Sequence, residues 1–118
     1  MYAARKPYCI IKCQPVWPAV KGQKIMGKIK IAVIGTGNIS NEHIRSYLKN
    51  PDVELYAFCD INEGQLKMMA EKYGVTRTYT DKDVMLRELP EIDAVSVCTW
   101  NSQHAPCTIA ALNAGCHV

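Results

Sequence analysis

The sequence has no stretch near the roughly 18 consecutive apolar residues that a membrane-spanning helix needs. No membrane association is expected. A secretory signal also fails, because Lys12 and Pro15 interrupt the short apolar run Cys9-Ile10-Ile11. No acidic residue precedes Glu42, but the leader has a single arginine and no serine, which argues against an organelle transit peptide. The seven basic side chains that precede Glu42 are spread among prolines and apolar residues, so a nucleic-acid-binding arm is not expected either. Cys9 and Cys13 have no second pair of Cys or His nearby, so a zinc site lacks ligands. Internal repeats and low-complexity segments are absent.

What is present fits one ordinary domain. The 118 residues are 48% hydrophobic and 21% charged, and a chain of this length buries roughly two-thirds of the surface it exposes when unfolded. The net charge of +3 hides an asymmetry: from Ile31 onward the chain carries seven basic and eleven acidic side chains, a net −4. Cys59 and Cys98 end apolar runs, and Cys107 and Cys116 flank a helical stretch, the placement of buried free thiols. A reduced, cytoplasmic protein is expected.

Residues 1–27 read as an irregular basic leader, with three prolines before Gln23 and no periodicity. Met26 stands directly before the patterned region, which fits a start there. Residues 28–118 then alternate strands and helices. Ile29 to Ile34 is a β-branched run that stops at Gly35, predicting a central strand. Asn38 to Lys49 places Ile44, Tyr47 and Leu48 at helical spacing, and Asn50-Pro51 closes that helix. Val53 to Cys59 reads as a second strand. A helix follows with Leu66, Met69, Ala70 and Tyr73 on one stripe and Gly74 as its cap.

Arg77 to Tyr79 predicts a short third strand, and Thr80 with Asp83 predicts a helix start for Lys82 to Arg87. Asp93 to Cys98 predicts a fourth strand. Pro106 to Ala114 predicts a helix with Ile109 and Leu112 inward, and Cys116-His117-Val118 begins a fifth strand. This alternation predicts an α/β fold, a doubly wound parallel sheet of the Rossmann type, incomplete at its C-terminal strands.

Gly35-Thr36-Gly37-Asn38-Ile39-Ser40 matches G-x-G-x-x-small, directly after a strand and at the opening of a helix. Gly35 permits a tight turn, Gly37 lets backbone approach a pyrophosphate, and small Ser40 lets the helix pack close to the strand. The helix N-terminus, with Thr36, Asn38 and Ile39, supplies amide donors to phosphate. Asp60 ends the second strand 20 residues after Ser40, where an acid accepts the ribose hydroxyls of a dinucleotide. The competing reading of Asp60 is an N-cap for the helix that follows. As a ribose ligand it favours NAD over NADP, since like charges about 4 Å apart at an effective dielectric near 20 repel by about 4 kcal/mol. No arginine follows at 61 or 62 to offset this.

These residues, with Ile92-Asp93-Ala94-Val95, the run Cys98-Thr99-Trp100-Asn101-Ser102-Gln103-His104 and the terminal Ala111 to Val118, resemble the Gfo/Idh/MocA family. These are relatives of glucose-fructose oxidoreductase and inositol dehydrogenase. The resemblance covers Lys28 to Val118. It implies that Thr99, Asn101 and His104 match a Thr-x-Asn-x-x-His loop lying over the dinucleotide. Trp100 stands where the family more often has Pro, and either stacks on the cofactor or covers the crevice. His104 has the alternative reading of a helix-start residue. His43 and His117 read as structural.

The resemblance further implies a Glu-Lys-Pro motif with a catalytic lysine beyond Val118, then a second domain that binds a small-molecule substrate. No catalytic residue is therefore assigned within the sequence. The expected role is that of an NAD-binding domain of an oxidoreductase acting on a sugar, polyol or related substrate. By itself the chain is expected to bind weakly, to aggregate and not to turn over. Two alternatives stand beside it: a dinucleotide-sensing module, and a Rossmann-like methyltransferase, against which the Thr99 to His104 stretch argues.

Overall fold

A computed structural model describes residues 27–118. The expected irregular leader, apart from Gly27, and the Cys9–Cys13 pair lie outside the described residues. Strand β1 (Ile29–Ile34) is central, between β2 (Val53–Cys59) and β4 (Ala94–Val97), with β3 (Thr78–Tyr79) beyond β2. All pairings are parallel, in the order β3-β2-β1-β4. Parallel neighbours need crossovers. Helices α1 (Asn38–Leu48), α2 (Glu63–Tyr73) and α3 (Lys82–Glu88) supply them, and α4 (Asn101–Asn113) follows β4. The chain winds outward from β1 to β3 and returns to the far side of β1. The switch in winding direction therefore lies between β1 and β4. Past α4, His117 makes a parallel bridge to Ala94, in the place expected for a fifth strand.

Because β1 is covered on both faces, its side chains are apolar throughout its buried length. Val33 faces Ile44, Phe58, Leu66 and Met69, the layer built with α1 and α2. Ala32 and Ile34 face Met85, Val95, Cys107 and Ala111, the layer built with α3 and α4. Between Ile31 and Ala32 the register slips, so that Leu55 and Ala57 take consecutive partners on β1 and Tyr56 is the extra residue. This bulge puts Tyr56 and its neighbour Ala57 in the same core layer.

Three expectations need correction. Helix α3 is capped by Asp81, whose Oδ1 accepts from the amides of Asp83 at 2.8 Å and Val84 at 3.4 Å, and Thr80 lies outside the cap. Helix α4 begins at Asn101, five residues before Pro106. Proline is most at home in the first helical position, which is why the sequence suggested a start there. Here it sits one turn further in, where the amide it lacks would have bonded the carbonyl of exposed Ser102. The inward residues of α4 are Cys107 and Ala111, while Ile109 and Leu112 are 57% and 56% exposed. Small residues let α4 lie close against the sheet.

Candidate functional site

The three central strands end at one level. The Gly35 amide donates to the Cys59 carbonyl and the Cys98 amide to the Ile34 carbonyl, each at 2.8 Å. Gly35 turns the chain with φ +91°, in the left-handed region that favours glycine. Gly37 is the N-cap of α1. Ser40, fully buried, donates its hydroxyl to the Gly37 carbonyl at 2.6 Å, and its small side chain lets α1 close on the sheet.

Asp60, at the end of β2, is held from two directions. Its Oδ2 accepts from the Thr36 amide at 2.8 Å and from the Thr36 hydroxyl at 2.7 Å. Its Oδ1 accepts from the Asn62 amide at 2.9 Å. The cap of α2 is Asn62, whose side chain accepts from the Gln65 amide at 3.0 Å, so the capping role considered for Asp60 belongs to its neighbour.

A crevice of about 810 Å³ opens at these strand ends. Gly35, Gly37, Asn38 and Ile39 line it from the glycine turn, Asp60 from β2, and Thr99 and Trp100 from the segment after β4. Seven of the ten residues singled out in the sequence thus share one cleft. The other three do not line it. Thr36 is fully buried and turned toward Asp60. Asn101 and His104 lie on the exposed first turns of α4, and His104 Nε2 bonds the Thr99 carbonyl at 2.8 Å, bracing the turn from β4 into α4. The family-like Thr99 to His104 stretch is therefore a two-residue link followed by helix.

Asn62, Gln65, Asp81, Lys82, Asp83 and Gln103 also line the crevice and were not expected there. Only the crossover geometry brings the starts of α2 and α3 to the strand ends; no local motif marks these positions. Lys82 lies 3.2 Å from the Asp83 carboxylate, and this hydrogen bond raises its pKa. The lining thiols are passive. Burial, with the Asp60 charge alongside, pushes Cys59 up to about 12, and burial raises Cys98 and Cys107. All four described cysteines are buried and free. Among the described residues no group of ligands could hold a metal ion, and no helix is long and apolar enough to cross a membrane.

A second hollow, about 780 Å³, lies between α2 and β3. It gathers none of the ten residues expected to bind the cofactor.

Comparison with known proteins places this geometry. Residues 29–118 match the Gfo/Idh/MocA family model, described as an oxidoreductase family with an NAD-binding Rossmann fold. D-glucoside 3-dehydrogenase of Escherichia coli (strain K12) is 37% identical over 100 residues, which are 84% of this chain and 28% of that protein. Myo-inositol 2-dehydrogenase of Thermotoga maritima is 37% identical over 90 residues, 76% of this chain and 27% of that one. The solved structure of scyllo-inositol dehydrogenase from Lactobacillus casei, with bound NAD(H) and scyllo-inositol, superposes with a TM-score of 0.71 at 29% identity, covering 77% of this chain and 27% of that one. The chain thus spans about a quarter of the length of these relatives. With its parallel sheet, glycine turn and terminal acid on β2, the chain belongs to the Gfo/Idh/MocA oxidoreductase family and carries that family's NAD-binding Rossmann fold.

Proposed function

We propose that residues 28–118 form a dinucleotide-binding unit whose crevice takes NAD in preference to NADP. The observation that carries this reading is the Asp60 carboxylate, fixed at the end of β2 in the same cleft as Gly37. The residues present fit the cofactor. A β-carbon at Gly37 would meet no protein atom within 4 Å, so the backbone is open to a pyrophosphate. The first amides of a helix lack intrahelical acceptors and favour an anion there.

In this reading the turn from Gly35 to Ile39 cradles the phosphates, Asp60 accepts the ribose hydroxyls, and Thr99 and Trp100 cover the far side. Thr36 holds Asp60 from behind, and His104 braces the turn through the Thr99 carbonyl, where Asn101 opens α4. Charge favours NAD. Among the described lining residues Lys82 is the only basic one, already beside Asp83, against the carboxylates of Asp60, Asp81 and Asp83. An added ribose phosphate would meet this excess of negative charge.

When bound, the nicotinamide supplies the hydride chemistry, and the protein binds and orients it. The relatives' names support hydride exchange with a sugar or polyol as the reaction of the protein in which this unit works. No residue of the chain is assigned to catalysis. Four buried free thiols support a reducing, cytoplasmic setting.

The test is a fluorescence titration of the chain with NADH, repeated with Asp60→Ala. Saturable binding that weakens about ten- to a hundredfold in the variant is expected, the loss of hydrogen bonds to a charged group. Absence of NADH binding, or preferential binding of S-adenosylmethionine, overturns the reading.

A further inference from the structure

Three residues of the crevice wall, Asp60, Asn62 and Gln65, close a ring of hydrogen bonds with Thr36 behind it. Thr36 donates its amide and its hydroxyl to Asp60 Oδ2 at 2.8 and 2.7 Å. Asp60 Oδ1 accepts from the Asn62 amide at 2.9 Å, and Asn62 Oδ1 accepts from the Gln65 amide at 3.0 Å. The Gln65 side-chain amide then returns to the Thr36 carbonyl at 2.8 Å. The ring joins the glycine turn, the end of β2 and the first turn of α2.

A carboxylate offers about four lone-pair sites, and the ring fills three of them with donors from both sides. Asp60 cannot swing aside without breaking these bonds. Thr36 is 0% exposed, so solvent cannot replace its hydroxyl, while Gln65 is half-buried at the crevice wall. We infer that Thr36 and Gln65 are positioning residues that hold the Asp60 carboxylate against the adenosine ribose, and that this restraint sets the discrimination between NAD and NADP. The inference rests on the crevice being the NAD site. A carboxylate held in place presents its remaining acceptor site, preset, to a ribose hydroxyl, and it cannot retreat from a phosphate at the same position. Loosening it weakens NAD binding and relieves the penalty on NADP, so the ratio of the two affinities falls from both sides.

The experiment titrates the full 118-residue chain with NADH and with NADPH and compares variants by that ratio. Thr36→Val, which keeps shape and removes the hydroxyl, is expected to lower the NADH preference by about tenfold, the scale of one hydrogen bond to a charged group. Thr36→Ser restores the hydroxyl and the parent ratio. In an Asp60→Ala background Thr36→Val leaves the ratio unchanged, because the two residues act as one unit. A Thr36→Val chain that weakens both cofactors equally, or that shifts the ratio as much without Asp60, overturns the inference.

If Thr36→Val gives no cooperative melt, Gln65→Leu carries the test, since it opens the ring from the half-buried side. It is expected to shift the ratio in the same direction, and an unchanged ratio overturns the inference. Failure of the parent chain to bind NADH overturns the crevice reading and this one together. Binding with a ratio indifferent to Thr36 and Gln65 overturns the ring alone.

Discussion

Gly35 abuts the backbone of Cys98: a β-carbon at position 35 would lie 2.7 Å from both the carbonyl carbon and the carbonyl oxygen of Cys98. The glycine turn and the end of β4, more than sixty residues apart in sequence, meet with no room for a methyl group. The φ of +91° at Gly35 adds a second penalty. Neither can be relieved by rotating a side chain.

Gly35→Ala is therefore expected to lose about 1–3 kcal/mol from the backbone conformation and a similar amount from overpacking, about 1–3 kcal/mol. Gly37→Ala provides the contrast, since no atom lies within 4 Å of the added carbon. As an N-cap change it costs about 1 kcal/mol, yet it places a methyl group where the pyrophosphate would approach. Urea unfolding and NADH titration should separate the two: Gly35→Ala loses the fold, and Gly37→Ala keeps the fold and loses binding. Equal stability of the two variants would refute the packing explanation.

Apolar positions on two helices should respond very differently to substitution. Ile44 on α1 is fully buried beside Val33 and Phe58, so Ile44→Ala should cost about 2–5 kcal/mol. Ile109 and Leu112 on α4 are more than half exposed. Replacing both with Lys should change stability by no more than about 0.5 kcal/mol per site while reducing self-association, read by light scattering. A large stability loss in the double variant would mean that α4 turns its other face inward.

Pro106 lies inside α4 and is itself exposed. A proline in a helix interior costs about 3 kcal/mol relative to alanine, offset by about 0.4–1 kcal/mol through its stiffening of the unfolded chain. Pro106→Ala should therefore raise the urea midpoint, with a gain of about 2 kcal/mol. No gain would place the start of α4 at Pro106 after all, where its missing amide costs nothing.

The same helix marks the boundary of what the sequence could convey. Val53 to Cys59 and the G-x-G turn were legible because strand runs and glycine spacing are local signals. Asp60 was legible as an acid at a strand end, and the fold followed from the alternation. On α4, apolar residues lie on both sides, so helical periodicity could not say whether Cys107 and Ala111 or Ile109 and Leu112 face the sheet. Gln65 and Lys82 carry no local signal of their place at the crevice. They reach it because the strands are parallel, so the short links from β2 into α2 and from β3 into α3 open at the same end of the sheet as the glycine turn. The fixing of Asp60 by Thr36 was hidden for the same reason, as a contact across 24 positions.

The bulged Tyr56 should give the chain a pH signature at the end of the sheet away from the crevice. Its hydroxyl donates to Glu91, while Arg77 and Lys30 lie 4.0 and 4.9 Å from its ring centre. The Tyr56 hydrogen bond, aided by the Lys30 and Arg77 charges and opposed by burial, lowers Glu91 from its usual 4.5. A carboxyl lowered on folding contributes stability above its unfolded value, and this is lost as pH falls through the folded value. Tyr56 is shifted the other way, raised from its usual 10.0 first by the bond to Glu91 and then by burial. Its contribution is complete below pH 10.0 and is lost as pH rises through the folded value. Tyr56→Phe keeps the ring and its cations but removes the bond. At neutral pH the variant should be less stable by about 1 kcal/mol, a modest value because Glu91 is partly solvated. That deficit should shrink below pH 4.5, where Glu91 protonates, and again above pH 10.0, where Tyr56 ionises. Urea midpoints of parent and variant across this range test it. A deficit that stays constant from acid to alkali would show that the hydroxyl acts through packing alone and that Glu91 is not its partner in solution.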